Sequence, residues 1–296
     1  MNLKIVFYYL GWVLNIEAVL MLLPCAVSLI YGDGMLPYFL VTMVICTVIG
    51  FMTAHKKPAD TVFYAREGFL TVALTWVMLS FFGALPFWFS RQIPSLVDAM
   101  FETISGFTTT GASILSDVEA LSRCSLFWRS FTHWIGGMGV LVFVMAILPM
   151  SDGHGMHLMR AEVPGPSVGK LVSRMSDSAK ILYGIYLVMT LLEIFLLLAG
   201  GMPLFDACIH SFGSAGTGGF SNRNLSVGAY GNAYYELVIG VFMLLFGINF
   251  NLYYFLMIRR FRDVFHSEEL RAYLGIVAAA VLAIAVDVAH LYDSFA

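Results

Sequence analysis

Seven stretches of this chain are long and apolar enough to cross a bilayer, at about 5–30, 36–54, 69–90, 125–149, 180–200, 234–258 and 272–292. A membrane helix needs roughly 20 mostly apolar residues. A chain with seven of them has few folds open to it. Only 12% of its 296 residues are charged, against roughly 25% in a soluble domain, and the mean hydropathy is +0.83. The expected fold class is therefore an all-α polytopic membrane protein, with the lipid bilayer as its surroundings. A net charge of −3 offers no basic surface, so nucleic acid is not an expected partner.

The N-terminus looks like a signal peptide, and "LLPC" imitates a lipoprotein cleavage site ending at Cys25. The apolar run is long for a signal, however, and Pro24 sits where a small residue belongs. The reading is an uncleaved first membrane helix. Cys25, Cys46, Cys124 and Cys208 lie far apart, without disulfide or metal-site spacing. They read as small buried apolar residues.

Two connections stand out, 91–124 and 201–233. Both are semi-apolar, and both are too rich in Gly, Ser and Thr to span. Each opens with a short helical stretch, "SLVDAMFETI" and "PLFDACIHSF", then turns into a Gly/Thr-rich segment. Ten to fourteen apolar residues fit a re-entrant segment better than a span. The basic residues agree with that topology. With the N-terminus in the cytoplasm, Lys4, Lys56, Lys57, Arg66, Arg160, Lys170, Arg174, Lys180, Arg259, Arg260, Arg262 and Arg271 fall inside. Arg91, Arg123, Arg129 and Arg223 fall outside. Cytoplasmic loops carry the Lys/Arg excess, so the protein is read as multi-pass in the cytoplasmic membrane, with both re-entrant loops on the outer side.

The two connections are copies. Residues 98–113, "DAMFETISGFTTTGAS", align without a gap on 206–221, "DACIHSFGSAGTGGFS", with Asp, Ala, Thr, Gly and Ser matching at Asp98/Asp206, Ala99/Ala207, Thr109/Thr217, Gly111/Gly219 and Ser113/Ser221. The repeated unit is helix, re-entrant half-helix, Thr/Gly loop, helix. The expected organisation is an N-terminal helix pair at 1–54, a first repeat at 55–150 and a cytoplasmic connection at 151–178. A second repeat follows at 179–260, then the start of a third at 261–296.

That unit suits a cation pathway. Irregular backbone at membrane depth survives only when buried in protein or lining water. Carbonyl oxygens of a Thr/Gly loop can replace the hydration shell of a cation. Glycine supplies the φ > 0 that turns successive carbonyls one way. The half-helix aims the negative end of its dipole at the pore. Each loop offers one quarter of a ring. With no ring of several carboxylates for a divalent ion, a monovalent cation is expected.

These residues resemble a known family. "SGFTTTGAS" and "HSFGSAGTGGFSNRN" resemble the first two filter loops of the Trk/Ktr/HKT potassium-transporter superfamily, most closely its TrkH branch. "WRSFTHWIGGMGVLVF" (128–143) and "RAEVPGPSVGKLVSRMSDSAKILYGIY" (160–186) extend the likeness over essentially the whole chain. The resemblance implies repeats of the potassium-channel type around a central pore and uptake of K⁺ as the transported ion, with no cofactor bound by this chain. It also implies a homodimer and a TrkA-like cytoplasmic nucleotide-binding regulatory partner. The family's filter glycine precedes a hydrophobic residue, which selects Gly111 and Gly219. The ion ligands it implies are the carbonyls of Thr108, Thr109, Thr110, Gly216, Thr217 and Gly218. Family members of this branch have four repeats, and this chain has two plus one helix. The third-repeat gating loop and the basic residue of the fourth repeat are not in it. The chain reads as a fragment or as a half that must associate with another, and on its own as non-conducting.

Other polar residues have plainer readings. Asp98 and Asp206 recur at one repeat position and are expected to bond nearby backbone and fix the filter. Glu102 gives way to His210 in the second copy and is the less generic scaffold. His133 and Trp134, beside Gly136, Gly137 and Gly139, are expected to pack closely. His154 and His157 read as polar loop residues. "RRFRDVFHSEELR" (259–271) is a charged linker or a partner contact. Asp287 and His290 are suspects by their depth alone. A remote alternative is an intramembrane serine protease using Ser214, with His210 or His290 as base. It fails to explain why the loop occurs twice and why Gly106 takes the serine's place in the first copy.

Overall fold

The computed structural model describes residues 2–58, 65–139 and 175–289. Among these, all regular structure is helical. The chain folds as two compact units, residues 1–246 and 247–296.

In the first unit, α1 (Leu3–Leu20) and α2 (Leu22–Tyr31) together make the first expected span. The break at Met21 lies just before Pro24, whose ring displaces the carbonyl four residues back and whose missing N–H leaves it unbonded. The chain turns at Gly32 in the left-handed conformation (φ 65°) and returns as α3 (Leu36–Ala54). Val41, Val44, Val48, Phe51 and Met52 of α3 are exposed. An apolar face of this size outside the core belongs against lipid.

The first repeat follows. α4 (Ala65–Phe89) leads to the half-helix α5 (Leu96–Phe107), and α6 (Arg123–Gly137) closes the unit. The part of the expected span 125–149 beyond 139 lies outside the described residues, as does the connection up to 174 with Arg160, Lys170, Arg174, His154 and His157. In the second repeat, α7 (Met175–Ala199) leads to the half-helix α8 (Leu204–Ala215) and then to α9 (Ala233–Phe246). Each half-helix packs between its flanking helices, and α6 packs against both α5 and α8. One helix thus stands between the two half-helices.

The second unit holds α10 (Phe250–Met257), α11 (Phe261–Phe265) and α12 (Glu268–Val288). The single span expected at 234–258 is instead interrupted at 247–249. Gly247 is a weak helix former, and Asn249 caps α10 by accepting from the amide of Asn251 at 3.0 Å. Asn249 also donates to Glu269 at 3.0 Å. No side chain of α12 is buried, and a helix apolar all round is built for lipid or for helix neighbours. Five helices of the described residues are long and apolar enough to cross a membrane, six if α9 and α10 count together.

Candidate functional site

The two half-helices are twelve residues each and lie 108 residues apart. Three backbone bonds of one loop repeat in the other, and the second loop adds one from the Gly219 amide to Gly213 at 3.2 Å. The amide of Thr108 donates to Ile104, of Thr109 to Gly106 and of Thr110 to Ser105, at 2.8, 3.0 and 2.9 Å. The amides of Gly216, Thr217 and Gly218 donate to Phe212, Ser214 and Gly213, at 3.2, 2.8 and 3.0 Å. Dihedral angles match as well. Thr109 and Thr217 both have φ 54°, and Gly111 and Gly219 have φ 75° and 80°. A threonine held left-handed is uncommon and strained. The same strain at the same repeat position is a property of the unit, not an accident of one loop.

All eight expected filter residues lie in these loops. Thr108, Thr110, Thr217 and Gly219 are exposed, Thr109, Gly111 and Gly218 are half-buried, and Gly216 is buried. The loops meet at one point: a Cβ on Gly111 would collide with the Gly218 carbonyl oxygen. Gly111 is therefore glycine for two reasons, its φ and this contact. Gly219 has the φ alone, with nothing within 4 Å of a Cβ there.

α6 wedges between the loops. A Cβ on Gly136 would strike the Phe107 carbonyl. One on Gly137 would come within 2.8 Å of the Gly216 Cα and 2.5 Å of the Tyr186 hydroxyl. The glycines thus bring α6 into backbone contact with the end of each half-helix, the packing expected of them. His133 is fully buried, and its ring stacks on Phe220 with centroids 4.0 Å apart.

The residue that sequence reasoning missed is Arg129. Its Nε donates to Glu102 at 2.5 Å, and one terminal nitrogen donates to the Ser221 carbonyl at 3.1 Å. Its guanidinium carbon lies 3.5 Å from the centre of the Phe220 ring. Arg129 thereby joins the half-helix of repeat one to the loop of repeat two. A lone arginine near the start of an apolar helix, with one glutamate in the preceding half-helix, was the available signal.

Glu102 is scaffold, contrary to the expectation that set it apart. Besides Arg129 it accepts from the Ser113 hydroxyl at 3.0 Å and the Ile114 amide at 3.1 Å, tying the half-helix to the segment that leaves the Thr/Gly loop. The second repeat makes this tie from another turn. Asp206 accepts from Asn222 at 2.7 Å and Tyr230 at 2.8 Å. Burial, then the bond to Asp206, pushes the Tyr230 phenol above its ordinary range, so it remains a donor. Asp98 does not repeat this role; its amide donates to the Ser95 cap of α5 at 3.3 Å.

The outer loops are joined as well. Asn224 accepts from the Val118 amide at 2.8 Å and donates to Asp117 at 2.8 Å. Arg223 lies 3.8 Å from Glu119 and 3.7 Å from Asp206. The Ser214 hydroxyl donates to the His210 carbonyl at 3.0 Å, while the His210 ring faces Tyr230 at 3.3 Å. This geometry offers the serine no base from His210, and His290 lies outside the described residues. No cluster of three or more His, Cys, Asp or Glu able to hold a metal occurs among the described residues.

Paired re-entrant half-helices, each followed by a strained Thr/Gly loop, define a polytopic membrane protein of the pore-loop class. The comparisons with known proteins agree and narrow it. Residues 36–284 match the family TrkH, described as cation transport protein, and the chain belongs to that family. It is 34% identical over 298 residues to the Trk system potassium uptake protein TrkG of Escherichia coli K12, covering 99% of this chain and 61% of that protein. It is 39% identical over 267 residues to the Trk system potassium uptake protein TrkH of Salmonella typhimurium, covering 88% and 55%. The crystal structure of the potassium transporter TrkH from Vibrio parahaemolyticus superposes with a TM-score of 0.84 at 31% identity, over 99% of this chain and 61% of that one. The chain thus spans a little over half the length of the curated relatives it matches.

Proposed function

We propose that this chain supplies two quarters of a K⁺-selective filter for potassium uptake across the cytoplasmic membrane, as the pore-forming subunit of a Trk-type system. The observation that carries the reading is the match of the two loops, in the amide bonds of Thr108–Thr110 with those of Gly216–Gly218 and in the left-handed angles of Thr109 and Gly111 with those of Thr217 and Gly219. Two loops that hold threonine and glycine in the same left-handed positions direct their carbonyls alike, as a ring of ion ligands requires. The relatives' names as potassium uptake proteins support K⁺ as the cargo. The N-terminus is cytoplasmic, on the basic-residue bias. The likeness also supports a homodimer and a TrkA-like regulatory partner on the cytoplasmic face. The domain organisation is the helix pair at 1–54, the repeats at 55–150 and 179–260 joined by 151–178, and a third repeat beginning in 261–296.

The test is ion selection. In the protein as encoded in its cell, Gly111→Ser and Gly219→Ser each lower the preference for K⁺ over Na⁺ in uptake assays. Unchanged preference in both variants overturns the reading. A second reading is carried by the coverage of the relatives: 296 residues with two loops do not conduct alone. Rescue of a K⁺-uptake-deficient strain by these residues by themselves would refute it.

A further inference from the structure

Two fully buried carboxyl groups lie away from the filter, Glu17 in α1 and Glu193 in α7. Their four oxygens have no hydrogen-bond partner among the described residues. The Ser214 hydroxyl beside Glu193 is committed to the His210 carbonyl at 3.0 Å. Ionisable groups buried inside a membrane protein are rare and carry a role.

The repeat relates the two. α4 and α7 are both 25 residues long and correspond with a shift of 110. The bonds that close them match: Ser90 to Pro86 with Gly200 to Leu196, and Arg91 to Trp88 with Gly201 to Leu198. Arg91 and Gly201 share the left-handed conformation, φ 61° and 93°. In this register Glu193 corresponds to Gly83. The half-helix register sets Ala215 opposite Phe107.

Gly83 has no side chain, yet a carboxyl group is there. A Cβ on Gly83 would lie 3.3 Å from Glu17 Oε1 and 2.9 Å from Cε2 of Phe107. Repeat two combines a glutamate on its first helix with the small Ala215. Repeat one combines Gly83 with the Phe107 ring, and α1 delivers the carboxyl from outside. The helix of origin changes and the carboxyl stays.

We propose that Glu17 is the first repeat's counterpart of Glu193, and that the N-terminal helix pair thereby completes the first pore quarter. Resting on the filter reading above, both glutamates are positioning residues. They act on the C-terminal end of a half-helix: Glu17 lies at Gly83 beside the Phe107 ring and Glu193 beside Ser214, and Thr108 and Gly216 follow within two residues. A side chain of another shape in either place shifts the half-helix and with it the carbonyls that follow.

The experiment uses the protein as encoded. Glu17 and Glu193 are each changed to Gln and to Leu, and uptake of K⁺ and Na⁺ is measured at matched membrane levels. At both sites Gln, which keeps the shape of the side chain, keeps the K⁺ preference, and Leu lowers it about tenfold, as for a change of shape in a packed site. Leu tolerated at either site, or opposite rankings at the two, overturns the proposal. The equivalence has its own test. Gly83→Glu is added to the double variant Glu17→Ala/Phe107→Ala, copying repeat two into repeat one, and restores the K⁺ preference. If these variants transport too little, the thermal resistance of the detergent-solubilised protein is compared. The triple variant outlasts the double, and equal or lower resistance overturns the proposal. That readout is independent of transport. A more resistant triple variant, with Gly111→Ser and Gly219→Ser both selective, would keep the equivalence and remove the filter.

Discussion

The Arg129 guanidinium donates to the Glu102 carboxylate at 2.5 Å, with both side chains almost wholly out of solvent. Because Arg129 also holds the Ser221 carbonyl and lies over Phe220, one ion pair couples a half-helix of the first repeat to the exit of the second loop. Breaking a buried pair from one side leaves an uncompensated charge and costs about 3–5 kcal/mol. Arg129→Ala and Glu102→Ala are therefore expected to lower protein levels and K⁺ preference together. Arg129→Lys keeps the charge but loses the planar fork that reaches two acceptors. It should accumulate better than the alanine variant while discriminating K⁺ from Na⁺ less well than the parent. Uptake competition at matched membrane levels checks this.

Gly111 and Gly219 are not interchangeable in what surrounds them. Alanine at either one meets the left-handed φ, a strain of about 1–2 kcal/mol. At Gly111 the added methyl also meets the Gly218 carbonyl, whereas at Gly219 it meets open space. Gly111→Ala is expected to reduce both uptake and selection more than Gly219→Ala. Comparing initial Rb⁺ uptake and Na⁺ inhibition for the pair measures it, and equal effects would mean that the loops do not meet as described.

Asp206 and Tyr230 tie the second loop's exit to its half-helix at 2.8 Å. Tyr230→Phe removes one hydrogen bond to a carboxylate, worth about 1.5–3 kcal/mol, together with the 3.3 Å contact to the His210 ring, and leaves the Asn222 bond in place. The expected result is a modest fall in thermal resistance with K⁺ preference kept. Asp206→Ala loses both bonds and is expected to lower the preference as well. Thermal challenge in detergent, followed by uptake assays, separates the two variants.

Membrane spans, re-entrant loops and the repeat were legible because each is written in a short window. Apolar length marks a span, and a Thr/Gly run after a half-helix marks a loop. The gapless 108-residue shift was then matched by the dihedral angles of Thr109, Gly111, Thr217 and Gly219. Arg129 and Glu17 were not legible, because their importance comes from partners distant in sequence. Nothing near Glu17 in the chain announces Gly83, 66 positions on. Glu102 was misread for a related reason. The repeat alignment compares positions, while the second copy satisfies its exit strand from Asp206, one turn earlier than His210. The break at 247–249 was hidden by hydropathy, which averages over a glycine and an asparagine inside an apolar run.

Gly137 is one of the close contacts between α6 and the end of the second half-helix. A Cβ there would sit 2.5 Å from the Tyr186 hydroxyl, 2.8 Å from the Gly216 Cα and 3.0 Å from the Ala215 carbonyl. The Tyr186 hydroxyl is itself held by the Trp134 carbonyl at 2.9 Å, so it is not free to swing away. Two of the three obstacles are backbone, at the last residue of α8 and at Gly216 just before Thr217. Overpacking of this kind costs about 1–3 kcal/mol, and α6 or the Thr/Gly loop must yield. Gly137→Ala is therefore expected to reduce K⁺ preference. Gly137→Ala combined with Tyr186→Phe removes one obstacle and leaves the backbone contacts, and should recover only part of it. Full recovery in the double variant would mean that the tyrosine, not the backbone of Ala215 and Gly216, sets how closely α6 approaches.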